Sequence, residues 1–131
     1  MSEENVEPLS ELIPKYFSAW NEPDDVKRLA VLTECWAHDG MVVDPFDNEP
    51  AVGVQQISDT IAKAFRERIP AGCRFVVTSR IDRHHDVLRY TFALVDENGQ
   101  RLREGVDTGR LDPDGRLSLI VTFLGLQPPI D

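Results

Sequence analysis

Three side chains combine a reactive type with a telling setting: Asp44, Asp107 and Tyr16. Asp44 follows Met41-Val42-Val43 and precedes Pro45-Phe46, so its carboxylate leaves the end of a short β-branched strand among apolar groups. A partly desolvated carboxylate in that place has the chemistry of a general base. An Asp-Pro pair also starts turns, and from this segment alone both roles stand. Asp107 shares one face of its strand with Gly105, Gly109 and Leu111, because side chains alternate along an extended chain. The two missing side chains leave room beside the acid for a ligand. They would equally admit a close-packed helix, with Asp107 making a structural hydrogen bond. Tyr16 lies on a helical face with Leu9, Ile13, Phe17 and Trp20, so its ring points inward and its hydroxyl needs a partner, as any core tyrosine would.

Other residues carry weaker chemistry. His84 and His85 are neighbours on an extended segment, so at most one of them enters an interior, and no third ligand is spaced to make a metal site. We assign His85 to the pocket as a donor or proton shuttle; a structural pair of histidines at a strand entry is the competing reading. His38 reads as a helix-end residue facing the local dipole. Cys35 and Cys73 form no CxxC pair and read as two buried, reduced thiols. Trp20, Trp36 and Phe46 each lie beside a candidate polar group and are expected to line a cavity, with Phe65, Tyr90 and Phe123 completing its apolar wall.

The elements that must position these groups follow from periodicity. Leu9, Leu12, Ile13, Tyr16, Phe17 and Trp20 predict an amphipathic helix, either kinked at Pro14 or starting there. Asn21-Glu22-Pro23 ends it, and Asp24 or Asp25 can cap a second helix whose inner side carries Val26, Leu29, Leu32, Thr33 and Trp36. After Gly53, the residues Val54, Ile57, Ile61, Ala64 and Phe65 predict a third helix, stopped by Pro70. The period then changes to alternation. Strands are predicted over Phe75–Ile81, Val87–Val95, Leu102–Leu111 and Leu117–Leu124, with Asn98-Gly99 and Pro113-Asp114-Gly115 as turns. Helices followed by a meander of long strands give an α+β domain: three N-terminal helices on a curved, mainly antiparallel sheet that encloses a pocket.

The chain has 131 residues, 41% apolar and 28% charged, which suits one domain with one core over residues 1–131. A formal charge of −9 repels phosphate backbones and anionic surfaces, so neither nucleic acid nor membrane is an expected partner. No apolar run is long enough to span a bilayer, and Met1-Ser2-Glu3-Glu4-Asn5 lacks the basic start of a secretory signal. A cytoplasmic protein is expected.

Several segments resemble known families. Val43-Asp44-Pro45-Phe46, with Asn48-Glu49-Pro50, Gly53 and Ile57, resembles the segment that carries the catalytic-base aspartate of ketosteroid isomerases. Asp107 with Arg110, Asp112, Gly115 and Arg116 resembles the strand-turn-strand bearing that family's second active-site acid, and Tyr16 stands in the place of its oxyanion tyrosine. That family has the nuclear transport factor 2-like (cystatin-like) fold, a cone-shaped, barrel-like α+β domain with the pocket inside the curved sheet. In wording the chain is more similar to the SnoaL-like branch of the superfamily, through Tyr16-Phe17-Ser18-Ala19-Trp20-Asn21-Glu22, Cys35-Trp36-Ala37-His38-Asp39-Gly40, His84-His85 and Glu104-Gly105-Val106-Asp107. Ketosteroid isomerases back their oxyanion tyrosine with further tyrosines. Here those places hold Ile61, which we also assign to the pocket, and a residue near Cys35 or Trp36.

The resemblance implies an isomerase- or cyclase-type enzyme needing no cofactor, acting on a small hydrophobic carbonyl compound. Asp44 would be the base, and Tyr16 with a neutral Asp107 the oxyanion donors. Non-catalytic binding of a small apolar ligand is a second reading. A third is hydrolysis by paired acids with an arginine, Arg89 or Arg103. The final strand, Leu117–Leu124, is apolar on both faces, and a homodimer is expected to cover its outer one.

Overall fold

The computed structural model describes residues 8–126; the acidic opening segment, residues 1–5, lies outside them. Helix α1 (Leu9–Trp20) runs through Pro14 without a break, so it neither starts at that proline nor ends before it. Proline removes one N–H from the ladder, and here the affected turn lies on the exposed side of the helix. Helix α2 (Asp25–Cys35) begins where the Asp24 carboxylate accepts the Lys27 N–H at 2.9 Å, a cap worth about 1 kcal/mol.

The inner face of α2 differs from the periodicity reading. Val26 is 80% exposed, and the charged Arg28 is buried instead. Its guanidinium is fully used: it donates to Ser58 Oγ at 3.0 Å and to the Glu22 carbonyl at 2.9 Å, and it pairs with Asp25. A buried cation is tolerated only when its donors are satisfied in this way. Helix α2 also ends a residue before expected. Trp36 opens strand β1 (Trp36–Val43), which places His38 on an exposed strand position rather than at a helix end.

Strand β2 (Ala51–Val52) and helix α3 (Val54–Glu67) follow, so only two of the three helices precede the sheet. The predicted strand over Phe75–Ile81 stops at Val77, as β3 (Arg74–Val77), and a separate short strand, β4 (Asp82–His84), follows beyond it. Strands β5 (Val87–Val95), β6 (Arg101–Leu111) and β7 (Leu117–Leu124) lie where alternation placed them. The seven strands form one open sheet in the order β2-β1-β7-β6-β5-β3, with β4 beside β5. Every pairing is antiparallel except β1 with β7, which makes the sheet mixed.

Two hairpins of one design set the register around Asp107. In Asp96–Gln100 the Asp96 carboxylate accepts the N–H groups of Asn98 and Gln100, both at 2.9 Å. In Asp112–Arg116 the Asp112 carboxylate accepts those of Asp114 and Arg116, both at 2.9 Å. Each turn is closed by one glycine at positive φ, Gly99 at 80° and Gly115 at 81°. Asn98 has an ordinary backbone, so this is not the two-residue Asn-Gly turn that the dipeptide suggested, which would need positive φ at both positions.

A register shift at the start of β7 leaves Ser118 as an extra residue between Leu117 and Leu119. Leu117 and Ile120, three apart, therefore both face the core, and simple alternation fails at that one point. Behind the sheet, Leu12, Ile13, Tyr16, Phe17, Leu32, Ile57 and Ile61 from the helices pack against Leu88, Tyr90, Phe92, Leu111 and Ile120 from the strands.

Candidate functional site

An apolar pocket opens between α1, the segment after β1, the end of α3 and the sheet, with an interior volume of about 70 Å³. Helix α1 contributes Tyr16, Phe17 and Trp20; the segment after β1 contributes Asp44, Pro45 and Phe46; the end of α3 contributes Ala64, Arg68 and Ile69. Phe75 of β3, Phe92 and Leu94 of β5, Arg103 and Asp107 of β6, and Thr122 and Leu124 of β7 form the remaining wall. Phe75 is fixed from outside the sheet. The Asn21 side chain accepts its N–H at 2.7 Å and donates to its carbonyl at 3.0 Å, standing in for a missing strand at the β3 edge.

Asp107 is 4% exposed. Its cross-strand neighbours on the same face are Tyr90 of β5 and Thr122 of β7, directly opposite it in register. Both hydroxyls donate to it, Tyr90 to Oδ2 and Thr122 to Oδ1, each at 2.6 Å. Burial pushes the carboxyl up to about 6, and the two hydroxyls pull it partly back. The flanking glycines face inward as predicted, and atoms of the neighbouring strands take the space beside them. A Cβ at Gly105 would collide with the Phe92 ring and the Phe123 carbonyl, and one at Gly109 with the Leu119 carbonyl and Ile120.

Tyr16 is 1% exposed. Its oxygen accepts the Trp20 indole N–H at 2.9 Å, which leaves its own proton uncommitted among the described residues. Burial and then the Asp107 charge raise its pKa, and the Trp20 hydrogen bond opposes them, so the phenol stays protonated. Tyr90 is likewise raised, first by burial and then by Asp107.

Asp44 is half-buried, immediately beyond β1. Its Oδ1 accepts the Phe46 N–H at 2.9 Å, so the turn role is real. The carboxylate also lines the pocket, so the turn and the pocket position are one arrangement. Phe46 follows at the mouth, 41% exposed, with the Arg68 guanidinium 3.9 Å above its ring centre.

Of the assigned residues, Asp44, Tyr16, Asp107, Trp20 and Phe46 meet at this pocket. Trp36, Ile61, Phe65, Tyr90, Phe123 and His85 do not line it. Trp36 and Ile61 are sealed in the core, Trp36 because it starts a strand and packs edge-on against Tyr16 with ring centres 5.5 Å apart. Phe65 packs against the core from the flank of α3, where Ala64 and Arg68 take the pocket side. Tyr90 stands behind Asp107 as its hydrogen-bond donor. Phe123 alternates outward between Thr122 and Leu124 and is 58% exposed. His85 sits in the β4–β5 turn at φ 55°, exposed, with its Nδ1 3.0 Å from that of His84. The histidine pair is thus on the surface, outside this pocket.

Thr122, Phe75, Phe92 and Arg68 were not foreseen. None of them had a signal in the sequence: counting from the Asp112 turn puts Val121 opposite Asp107, and only the extra residue at Ser118 brings Thr122 there. Arg103, one of the two arginines considered for hydrolysis, lines the pocket; Arg89 pairs with Asp82 at 2.9 Å elsewhere. Neither cysteine is in a disulfide; Cys35 is buried and Cys73 half-buried. Among the described residues no group of three or more His, Cys, Asp or Glu could hold a metal ion, and no helix is long and apolar enough to cross a membrane.

No family model matches the chain, and no curated protein matches it. Solved structures do. A protein from Agrobacterium tumefaciens str. C58, described as a candidate isomerase of the SnoaL-like family, is 32% identical over 87% of this chain and 94% of its own, with a TM-score of 0.75. A candidate SnoaL-like polyketide cyclase from Jannaschia sp. CCS1 is 18% identical over 88% of this chain and 83% of its own, with a TM-score of 0.67. A protein with a ketosteroid isomerase-like fold from Catenulispora acidiphila DSM 44928, solved with trimethylamine, is 17% identical over 86% and 84%, with a TM-score of 0.66. The last two show the fold alone.

Proposed function

This chain belongs to the SnoaL-like family, and from that premise we propose that it is an isomerase- or cyclase-type enzyme that removes a proton next to the carbonyl of a small hydrophobic substrate. The observation that carries this reading is the meeting of Asp44, Tyr16 and Asp107 in one apolar pocket, with the Tyr16 proton free to be donated. The Asp44 oxygen not held by the turn takes the proton from the α-carbon, and the C–H electron pair moves into the C–C bond as the carbonyl becomes an enolate. Tyr16 and the neutral form of Asp107 donate to the enolate oxygen, aided by the apolar walls. Returning the proton to another carbon completes an isomerisation; attack of the enolate carbon on a second carbonyl of the same molecule closes a ring. Proton transfer of this kind calls for no cofactor.

Replacing Asp44 by Asn tests the reading. Solvent-deuterium exchange next to the carbonyl of a bound ketone should fall to background, with ligand binding retained. Exchange unaffected by D44N would sink it. Binding without exchange in the wild-type protein would favour the ligand-binding reading.

We also propose a homodimer across the outer face of the sheet. Met41 and Val43 of β1 pair in register with Leu119 and Val121 of β7, and exposed Phe123 extends that apolar row. A monomer mass at micromolar concentration would exclude the dimer.

A further inference from the structure

The mouth of the pocket carries charge that proton abstraction does not use. Arg103 faces inward on β6 four positions before Asp107, which places its backbone roughly 13 Å from that acid along the strand. It lies beyond the register partner of Leu124, at the open end of the wall. Arg68 reaches the same mouth from the end of α3 and is held there over the face of Phe46. Neither guanidinium forms an ion pair among the described residues, in a chain with 23 acidic and 14 basic residues. Asp44 lines the same pocket and forms no ion pair with either among the described residues.

A chain of net charge −9 repels small anions in general, so it accepts one only where local positive charge overrides that field. Two unpaired guanidiniums beside an apolar interior provide such a place, and their planar forks match a carboxylate. The narrow interior of about 70 Å³ encloses a small reacting group and leaves the far end of a ligand at the mouth.

We propose that the substrate is a small apolar keto acid, its carbonyl at Tyr16 and Asp107 and its carboxylate held at the mouth by Arg103 and Arg68. The carbonyl half of this proposal rests on the function above; the carboxylate half rests on the arginines alone.

The test compares 3-benzoylpropanoate with its methyl ester, the same aryl ketone with and without the negative charge. Titration followed by Trp20 fluorescence or ligand-observed NMR should show the acid binding about tenfold more tightly than the ester. R103Q and R68Q should each shrink that ratio, the double substitution should bring it to unity, and raised ionic strength should erode it. Both positions are at the mouth rather than in the core, so the variants should fold. Equal binding of acid and ester, a ratio unmoved by R103Q and R68Q, or no binding of either ligand at millimolar concentration would each overturn the proposal. Deuterium exchange at the methylene next to the ketone is read in the same samples. Charge preference without exchange keeps the anion site and removes the proton-abstraction reading; exchange of ester and acid alike, with equal affinity, does the reverse.

Discussion

Asp44 and Asp107 line one pocket, yet the chain treats them differently. Asp107 comes from the middle of a central strand, where its neighbours on both sides present hydroxyls at fixed register. Asp44 comes from a strand end, where one oxygen is occupied by a local turn and the other is left open. The first is a carboxyl whose proton is governed by burial; the second is one whose position is governed by backbone. A base must be ionised and able to reach its substrate, whereas a donor must keep its proton and stay still. On the proposed function, the turn-held Asp44 suits the first task and the buried Asp107 the second.

The sharpest way to break this division is to exchange the roles. D44N should lower α-proton exchange about 10³-fold, or about 4 kcal/mol in the barrier, while D107N should lower it less because Tyr16 still donates. Equal losses from the two substitutions would mean the acids act as one unit.

Stability gives the next largest effect. The Asp107 pKa is raised from 3.8 to about 6 on folding, so the folded state binds more protons than the unfolded chain between those values. Its contribution is therefore favourable below about pH 4 and is lost as pH rises through about 6. Relative to D107N, the wild-type protein should lose up to about 3 kcal/mol between pH 4 and pH 8 in denaturant unfolding. The same titration makes activity that needs neutral Asp107 decline as pH passes about 6.

Removing the supporting hydroxyls should act more mildly. Tyr90→Phe and Thr122→Val should each cost about 1–2 kcal/mol at pH 8, where the carboxylate is charged, and less at pH 4. Each should move the carboxyl titration seen by NMR further upward, because both hydrogen bonds favour the charged form. Asp44→Ala should be the smallest in stability, within about 0.5 kcal/mol, since it removes one exposed turn bond. A loss there as large as that from Asp107→Asn would erase the contrast between the two acids.

The same contrast explains what could be read from sequence. Asp107 was legible as an inward residue because β6 alternates strictly from Gly105 to Leu111, and long alternating strands leave little room for error. Tyr16 was legible because a helical face fixes which residues point inward. What local pattern could not give was the neighbour across the sheet. Tyr90 was placed in the wall when it stands behind Asp107, and Thr122 was missed, since cross-strand pairs depend on turns and on the bulge at Ser118. Trp36 failed for another reason. Its helical spacing with Leu29 and Leu32 continues past the end of α2, and packing against Tyr16 outweighs propensity there. His85 failed because a turn, not a strand, holds it.

The parallel pairing of β1 with β7 has a consequence for synthesis. These strands come from opposite ends of the described chain, and β7 carries both Thr122 and the partner that covers β1. On the ribosome, Tyr16, Asp44 and Asp107 emerge first, into a chain whose sheet still lacks its central seam. Non-local pairing of this kind is slow and leaves strand edges exposed until it closes. The pocket should therefore assemble only once β7 has emerged, and a nascent chain stalled at Leu117 should remain protease-sensitive where one stalled well beyond Leu124 does not.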